Sequence, residues 1–136
     1  MDEIEQLIHG TFPTVEKLME EYGEFYPLAN AIKNNGEMVP VGTYYGEEHP
    51  KAHELLEKLK EAFYAKKNDY KALVIFYNVE VINPETNLKN KAIAVLAEEK
   101  AEKISYTFFY PFSIKKKEMI FYEPWKSSKE IEIFRE

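Results

Sequence analysis

The sequence predicts a single α+β domain, residues 1–136, in which helices pack on an antiparallel sheet of about five or six strands. Strand-like segments cluster on both sides of one helical segment instead of alternating with helices. Asn35-Gly36, between two extended runs, is a strong hairpin signal. The 136 residues, 45% of them hydrophobic, are enough for one core. A profilin-like or roadblock-like arrangement has this order, by analogy alone.

Two short helices are predicted at the start of the chain. Apolar residues at helical spacing within 4–8 indicate the first, which stops at a break over 10–13. The same spacing within 15–22 indicates the second. Pro13 suits its first turn and Gly23 its end.

A hairpin and a longer helix follow. The runs 24–33 and 37–46 pair across Asn35-Gly36, and both central residues of such a turn need positive φ. Apolar residues share one helical face over 50–67, and Pro50 is suited to the first turn. The order so far is helices, hairpin, helix.

The second half of the chain predicts a meander. Residues 72–77 are apolar at every position, which indicates an inner strand covered on both sides and continuing to residue 82. Further strands are predicted at 91–97, at 104–112 with Pro111 near its end, and at 119–122 after a lysine turn at 115–117.

The end of the chain fits two interpretations. Residues 130–133 alternate like a strand, which we favour. Ser127 with Glu130 resembles a capping box, so a helix stays an alternative.

Composition excludes several classes of function. Eighteen basic and 24 acidic side chains leave a net charge of −6, which disfavours binding to nucleic acid or to anionic lipid and favours a basic protein partner. There is no cysteine, so thiol catalysis and disulfides are excluded. The acidic start is unlike a signal peptide, and no apolar run approaches the roughly 20 residues of a membrane span. We expect a cytoplasmic protein.

No residue pattern indicates a metal site or a cofactor. His49 and His53 are spaced i, i+4 and could bind zinc with Glu48 or Glu54. However, the His-Glu-x-x-His pattern is missing, and His49 precedes Pro50, which disfavours helical backbone there. We predict neither metal nor cofactor.

Catalytic patterns are missing as well. Glu98 and Glu99 are adjacent on a predicted strand, so they point to opposite faces and do not converge. Other adjacent acids lie at 20–21 and 47–48. A catalytic pair needs two environments that separate the pKa values, whereas adjacent acids at the start of a helix usually complement its dipole. The serines have no nucleophile-elbow glycines, and the five glycines form no phosphate loop. We predict that the chain is not an enzyme.

The aromatic residues fit two interpretations. Their rings can fill the sheet core, or they can line a ligand cavity between the sheet and the helix at 50–67. The candidates for such a cavity are Tyr44, Tyr45, Tyr106, Phe108, Phe109 and Tyr110. Trp125, in a polar stretch, is expected to be partly exposed and could anchor a contact.

Several segments resemble a family of small bacterial proteins of uncharacterised function. Residues 24–29 read E-F-Y-P-L-A and are similar to the family's E-F-Y-P-[FL]-[AG] hairpin motif, with Leu28 in place of the usual phenylalanine, and 47–50 contain its E-H-P helix start. Residues 72–81 and 91–95 resemble its A-I-x-Y-x-V-x-V and D-A-I-x-V strands, with Lys91 in place of the acid. The resemblance implies a shared fold over 24–112, and no activity.

We therefore expect a non-enzymatic protein-binding module, with an immunity-type inhibitor of a basic bacterial toxin as its concrete form. The candidate contact residues are Tyr44, Tyr45, Glu47, Glu48, Glu98, Glu99 and Trp125. The first alternative is a small-molecule sensor or carrier that uses the aromatic cavity. A further alternative is an enzyme in which His49, His53 and a carboxylate meet in one cleft. Another is self-association through an exposed sheet edge.

Overall fold

Two α-helices, a short 3-10 helix (Lys67–Asp69) and seven strands are formed by residues 2–41 and 51–136, which the computed structural model describes. The elements are α1 (Glu3–Tyr22), β1 (Leu28–Lys33), β2 (Met38–Val41), α2 (Ala52–Ala65), β3 (Tyr70–Ile82), β4 (Lys89–Glu99), β5 (Ile104–Lys115), β6 (Glu118–Phe121) and β7 (Trp125–Ser128). The predicted α+β domain with helices on an antiparallel sheet is confirmed.

The sheet is antiparallel throughout and curls into a half-barrel. Its strand order is β2-β1-β3-β4-β5-β6, and β7 also pairs with β5. The second half of β5 pairs with β6 and the first half with β7. Pro111, which lacks an N–H group, lies between these halves, and its carbonyl accepts from the Tyr122 N–H at 3.0 Å. The predicted strand 104–112 thus continues beyond Pro111 to Lys115.

The two helices cover opposite faces of the sheet. Ala72, Val74 and Phe76 pack in the same cluster as α1, whereas Leu73 and Ile75 pack with α2. All of these side chains are fully buried. Because successive strand residues point to opposite faces, the sheet has an α1 face and an α2 face. The prediction that β3 is covered on both sides is confirmed.

α1 is one continuous helix, so the predicted break at residues 10–13 is wrong. Its buried residues run straight through that region: Ile4, Leu7, Thr11, Val15 and Met19. Thr11 is the polar member of this stripe, and its hydroxyl donates to the Leu7 carbonyl at 2.7 Å and accepts from Asn30 Nδ2 at 2.6 Å. Pro13 lies on the exposed side. Burial of the stripe therefore outweighs the backbone hydrogen bond that Pro13 lacks.

The predicted hairpin at Asn35-Gly36 is present, but its turn differs from the expected one. The Gly36 N–H donates to the Lys33 carbonyl, and the Lys33 N–H donates to the Glu37 carbonyl, both at 2.9 Å. The loop therefore has three residues, and Gly36 alone among them has positive φ, at 92°.

The turn with two positive φ angles lies instead in the predicted lysine turn between β5 and β6. Lys116 and Lys117 have φ of 51° and 65°, and the flanking residues Lys115 and Glu118 pair directly. Left-handed backbone costs a residue with a β-carbon roughly 1–2 kcal/mol, a cost that glycine does not have. This turn is a strained point of the fold.

Replacing Lys117 with glycine should therefore stabilise the protein. We expect Lys117→Gly to raise the free energy of unfolding by about 1 kcal/mol, because glycine adopts the required φ without strain. Urea unfolding of the variant and of Lys115→Gly, whose backbone is extended, provides the comparison. A loss of stability in Lys117→Gly would contradict the strain at this turn.

The segment 129–136 has no regular secondary structure, so the predicted strand at 130–133 is wrong. The alternative helix after Ser127 is not formed either. The strand near this end is β7, which pairs Trp125 with Phe109 and Ser128 with Tyr106.

Candidate binding groove

A groove of about 740 Å³ lies between α1 and the α1 face of β5. We call it the α1–β5 groove. Alternate residues of β5 form its floor: Ile104, Tyr106, Phe108 and Tyr110. Apolar side chains of α1 form one wall: Ile4, Ile8 and Phe12. The floor exists because the pleat of β5 sends these residues to the same face.

Phe12 fixes the wall to the floor through edge-to-face ring contacts. Its ring centroid lies 5.0 Å from that of Tyr110 and 5.8 Å from that of Phe76, each at 78°. A third contact, to Phe121, spans 5.5 Å. Along the floor, the rings of Tyr106 and Phe108 are 5.9 Å apart. Such contacts hold aromatic rings in place beyond simple area burial, so the groove is largely preformed.

The floor rings remain partly accessible. Tyr106, Phe108 and Tyr110 are all half-buried, whereas Phe76, two strands away on the same face, is fully buried. Burial raises the pKa of the Tyr110 hydroxyl, which therefore stays protonated and able to donate near neutral pH. The groove thus combines apolar ring faces with phenol hydroxyl groups, a lining that suits an occupant with apolar side chains.

The rim of the groove is mainly acidic. The charged or titratable residues along it are Asp2, Glu5, His9, Glu16, Glu99 and Lys126. Four carboxylates therefore oppose one lysine, which attracts a positively charged occupant. The Asp2 carboxylate also caps α1, accepting from the Glu5 N–H at 2.8 Å.

Glu99 lies at the most acidic end of the groove. Burial raises the pKa of its carboxyl group, and the neighbouring negative charges of Glu3, Asp2 and Glu102 raise it further. A hydrogen bond between Glu3 and Glu99 contributes in the same direction. Lys71 Nζ contacts the Glu3 carboxylate at 3.3 Å and offsets part of this charge.

Neutralising Glu99 should stabilise the folded protein at neutral pH. A carboxyl group with a raised pKa adds stability below its ordinary value near 4.5, and that stability is lost as the pH rises through the raised value. We expect Glu99→Gln to unfold at higher urea than the unmodified protein at pH 7, with the difference vanishing near pH 4. A variant less stable at pH 7 would contradict the crowding of charge at Glu99.

Glu98, the residue before Glu99, points to the opposite face and is fully buried. Its Oε1 accepts from the backbone N–H groups of Ile133 and Phe134 at 3.0 and 3.2 Å. Its Oε2 accepts from the Glu132 N–H at 2.8 Å and from the Ser105 hydroxyl at 3.0 Å. Both oxygens are occupied, so Glu98 anchors the segment 129–136 on the α2 face.

Side chains of α2 hold the same segment. Lys60 Nζ lies 3.1 Å from the Glu132 carboxylate, and the Arg135 guanidinium lies 4.0 Å from the centre of the Tyr64 ring. Ile133 is buried in the α2 cluster. These contacts explain why residues 130–133 do not form a strand: the N–H groups of Glu132 and Ile133 bind the Glu98 side chain instead of a neighbouring strand.

Of the predicted contact residues, the described ones, Glu98, Glu99 and Trp125, do not share one surface. Tyr44, Tyr45, Glu47 and Glu48 lie outside the described residues. Glu98 is in the core instead of at a contact surface, and its divergence from Glu99 is as predicted. Trp125 is half-buried, as expected, and stacks on Phe109 at 5.2 Å. Of these three described residues, Glu99 lines the groove.

The aromatic cavity was predicted between the sheet and the helix at 50–67, but the aromatic groove that the structure forms lies beside α1. Tyr106, Phe108 and Tyr110 do line a groove, but its wall is α1, whereas Phe109 belongs to the α2 face. The apolar residues Ile4, Ile8 and Phe12 of α1 could have indicated from the sequence that this helix forms the wall. Ile8 and Phe12 continue from Ile4 as a second apolar row on α1, beside the rest of the buried stripe.

The predicted metal alternative includes His49, which lies outside the described residues. Among residues 2–41 and 51–136, no cluster of three histidine, aspartate or glutamate side chains could hold a metal ion. Neither helix in this part of the chain is long and apolar enough to span a membrane.

The fold and its groove define a small α+β domain with an open, aromatic-floored and acid-rimmed surface cleft. Comparison with protein-family models, curated proteins and solved structures found no match. The resemblance to the E-F-Y-P family therefore stays a prediction.

Proposed function

We propose that this chain is a non-catalytic protein-binding module whose α1–β5 groove accepts a basic, partly apolar segment of a partner protein. The observation that carries the proposal is the combination of half-buried ring faces on the floor with four carboxylates against one lysine on the rim. Aromatic floors supply contact area, and the charge selects the partner and speeds encounter.

The dimensions of the groove suit a short peptide segment. Its wall follows α1 from Asp2 to Glu16, a length of about 20 Å at the rise of a helix. The floor follows β5 from Ile104 to Tyr110, which is also about 20 Å at the rise of a strand. A segment of about six extended residues, or about fourteen helical ones, would fill this length.

The charge of the whole chain supports the same partner. A net charge of −6 attracts a basic protein over a distance, and the acidic rim concentrates that attraction at the groove. An inhibitor that neutralises a basic toxin is the concrete form that we propose. Affinity should then fall as the salt concentration rises, because salt screens exposed charges.

Binding of designed peptides tests the proposal. The probes are an amphipathic peptide of lysine and leucine about fourteen residues long and its counterpart with glutamate in place of lysine. We expect the lysine peptide to bind and the glutamate peptide not to bind. Phe108→Ala should weaken binding about tenfold, in the range of an interface anchor.

Phe109→Ala is the matched control, since Phe109 follows Phe108 on the same strand but points to the α2 face. Both variants are first shown to be folded by circular dichroism at the temperature of the binding experiment. Failure of both peptides to bind, equal binding of the two, or an equal loss in the Phe109 variant would overturn the proposal.

A small-molecule carrier is the second candidate function, favoured by the volume of the groove. About 740 Å³ falls in the range of sites for small ligands, about 300–1,000 Å³. The same binding experiment with a panel of small aromatic amines separates the two functions. Binding of an amine without binding of the lysine peptide would favour the carrier.

A further inference from the structure

We propose that the Glu99 end of the α1–β5 groove is a subsite for one ammonium or guanidinium group of the bound segment, and that Lys126 is its tethered competitor. This inference rests on the proposed function. It assigns the subsite to a lysine or arginine side chain of the partner, held between the Tyr106 ring and the carboxylates of Glu99 and its neighbours.

The ring of Tyr106 already holds a cation. Lys126 Nζ lies 4.4 Å from the centre of that ring, inside the range of cation–π contacts. Both residues line the groove. The chain therefore places its own ammonium group at the position that a ligand's ammonium group would take.

Lys126 can leave this position at little cost. It lies on β7 opposite Phe108, and its side chain is exposed. Cation–π contacts at exposed sites are worth only about 0.5–1 kcal/mol. A long, flexible side chain with one such contact is easily displaced by a cation that also brings apolar contacts along the floor.

The carboxylates at this end repel one another. Glu99 lies near Asp2 and Glu3 of α1 and near Glu102 of the β4–β5 turn. Among residues 2–41 and 51–136, Lys71 contacts the Glu3 carboxylate, and Lys126 of β7 lines the same groove with its ammonium group over the Tyr106 ring. A ligand cation would relieve the repulsion among the acids, which favours its binding over that of a neutral side chain.

The raised pKa of Glu99 supports this assignment. A cation bound beside Glu99 favours its ionised form, so binding releases a proton from the part of the population in which the group is protonated. Affinity should then rise with pH above the ordinary value near 4.5. Asp2, Glu3 and Glu102 lie near the same cation and could also make the affinity depend on pH. Comparing the pH dependence of binding in Glu99→Gln with that of the unmodified protein shows whether Glu99 is responsible.

Binding of the lysine–leucine peptide to charge variants tests the inference. Lys126→Met keeps the length of the side chain and removes its charge. We expect it to tighten binding about threefold to tenfold by removing the competitor, whereas Glu99→Gln should weaken binding about tenfold. The matched controls are Lys129→Met and Glu130→Gln, which make the same changes in net charge at exposed positions that do not line the groove.

The outcomes separate this inference from the proposed function. Tighter binding of the peptide by Lys126→Met together with weaker binding by Glu99→Gln supports the subsite. Because Glu99→Gln is expected to be more stable than the unmodified protein, its weaker binding would not be a result of unfolding. Variants that behave like their controls, while Phe108→Ala still weakens binding, would overturn the subsite alone. No binding of the peptide to the unmodified protein would overturn both.

Discussion

Replacing Glu98 with alanine is expected to lower the free energy of unfolding by about 3–5 kcal/mol. The carboxylate accepts four hydrogen bonds in a buried position, three of them from the consecutive N–H groups of Glu132, Ile133 and Phe134. Without it, buried donors lose their acceptor, at a cost of about 1–3 kcal/mol each where water does not reach them. The segment 129–136 then loses its anchor on the α2 face.

Two measurements check this result. Urea unfolding gives the loss of stability, and amide hydrogen exchange should accelerate at Glu132, Ile133 and Phe134 before the rest of the sheet is affected. Glu98→Gln should lower the free energy of unfolding by less than Glu98→Ala does, because the amide oxygen can still accept hydrogen bonds. Some loss remains, because the amide NH₂ group is itself a donor and faces the donors that the second carboxylate oxygen had accepted from.

Glu99→Ala is the matched control for Glu98. It removes the adjacent carboxylate on the other face, where burial and neighbouring acids disfavour the ionised form. We expect no comparable loss of stability and no change in exchange at 132–134. A loss below about 1 kcal/mol in Glu98→Ala would contradict the anchoring role of the carboxylate.

Truncation of Phe76 is the second change with a large expected effect. Phe76 is fully buried on β3, and its ring meets the Phe12 ring of α1 at 5.8 Å. Removing a buried phenylalanine leaves a cavity between the sheet and α1, and Phe76→Ala should cost about 3–5 kcal/mol. Thermal or urea unfolding measures this cost.

Phe121 provides the comparison, since its ring also contacts Phe12, at 5.5 Å, but is 38% exposed. Phe121→Ala should cost only about 1–2 kcal/mol, because less apolar area leaves water on folding. Equal losses at the two positions would contradict the packing of α1 against the centre of the sheet.

The sequence predicted those parts of the fold that depend on local pattern. Residues 72–77 are apolar at every position, and this alone indicated a strand between two layers. The continuity of α1 was missed because Thr11 interrupts the apolar stripe and Pro13 suggests a break. The hydrogen bond from Asn30, distant in sequence, satisfies Thr11, and burial of the stripe against the sheet outweighs the backbone hydrogen bond that Pro13 lacks.

The groove was harder to predict, because it depends on which helix lies on which face. The alternation in β5 separates Phe108 from Phe109, but it does not say which of them faces α1. That choice follows from the register of β5 against β4 and from the packing of α1. Likewise, Glu98 is an acid in an apolar strand, and its role depends on the backbone of residues 132–134.

Chemical-shift mapping by NMR is the most direct test of the binding role assigned to the α1–β5 groove. The ¹⁵N-labelled protein is titrated with the lysine–leucine peptide, and the amide signals are followed residue by residue. We predict that the shifted signals cluster on the first four turns of α1, on residues 104–110 of β5 and at Lys126. Shifts concentrated instead on α2 and the segment 129–136 would place recognition on the opposite face and contradict this role.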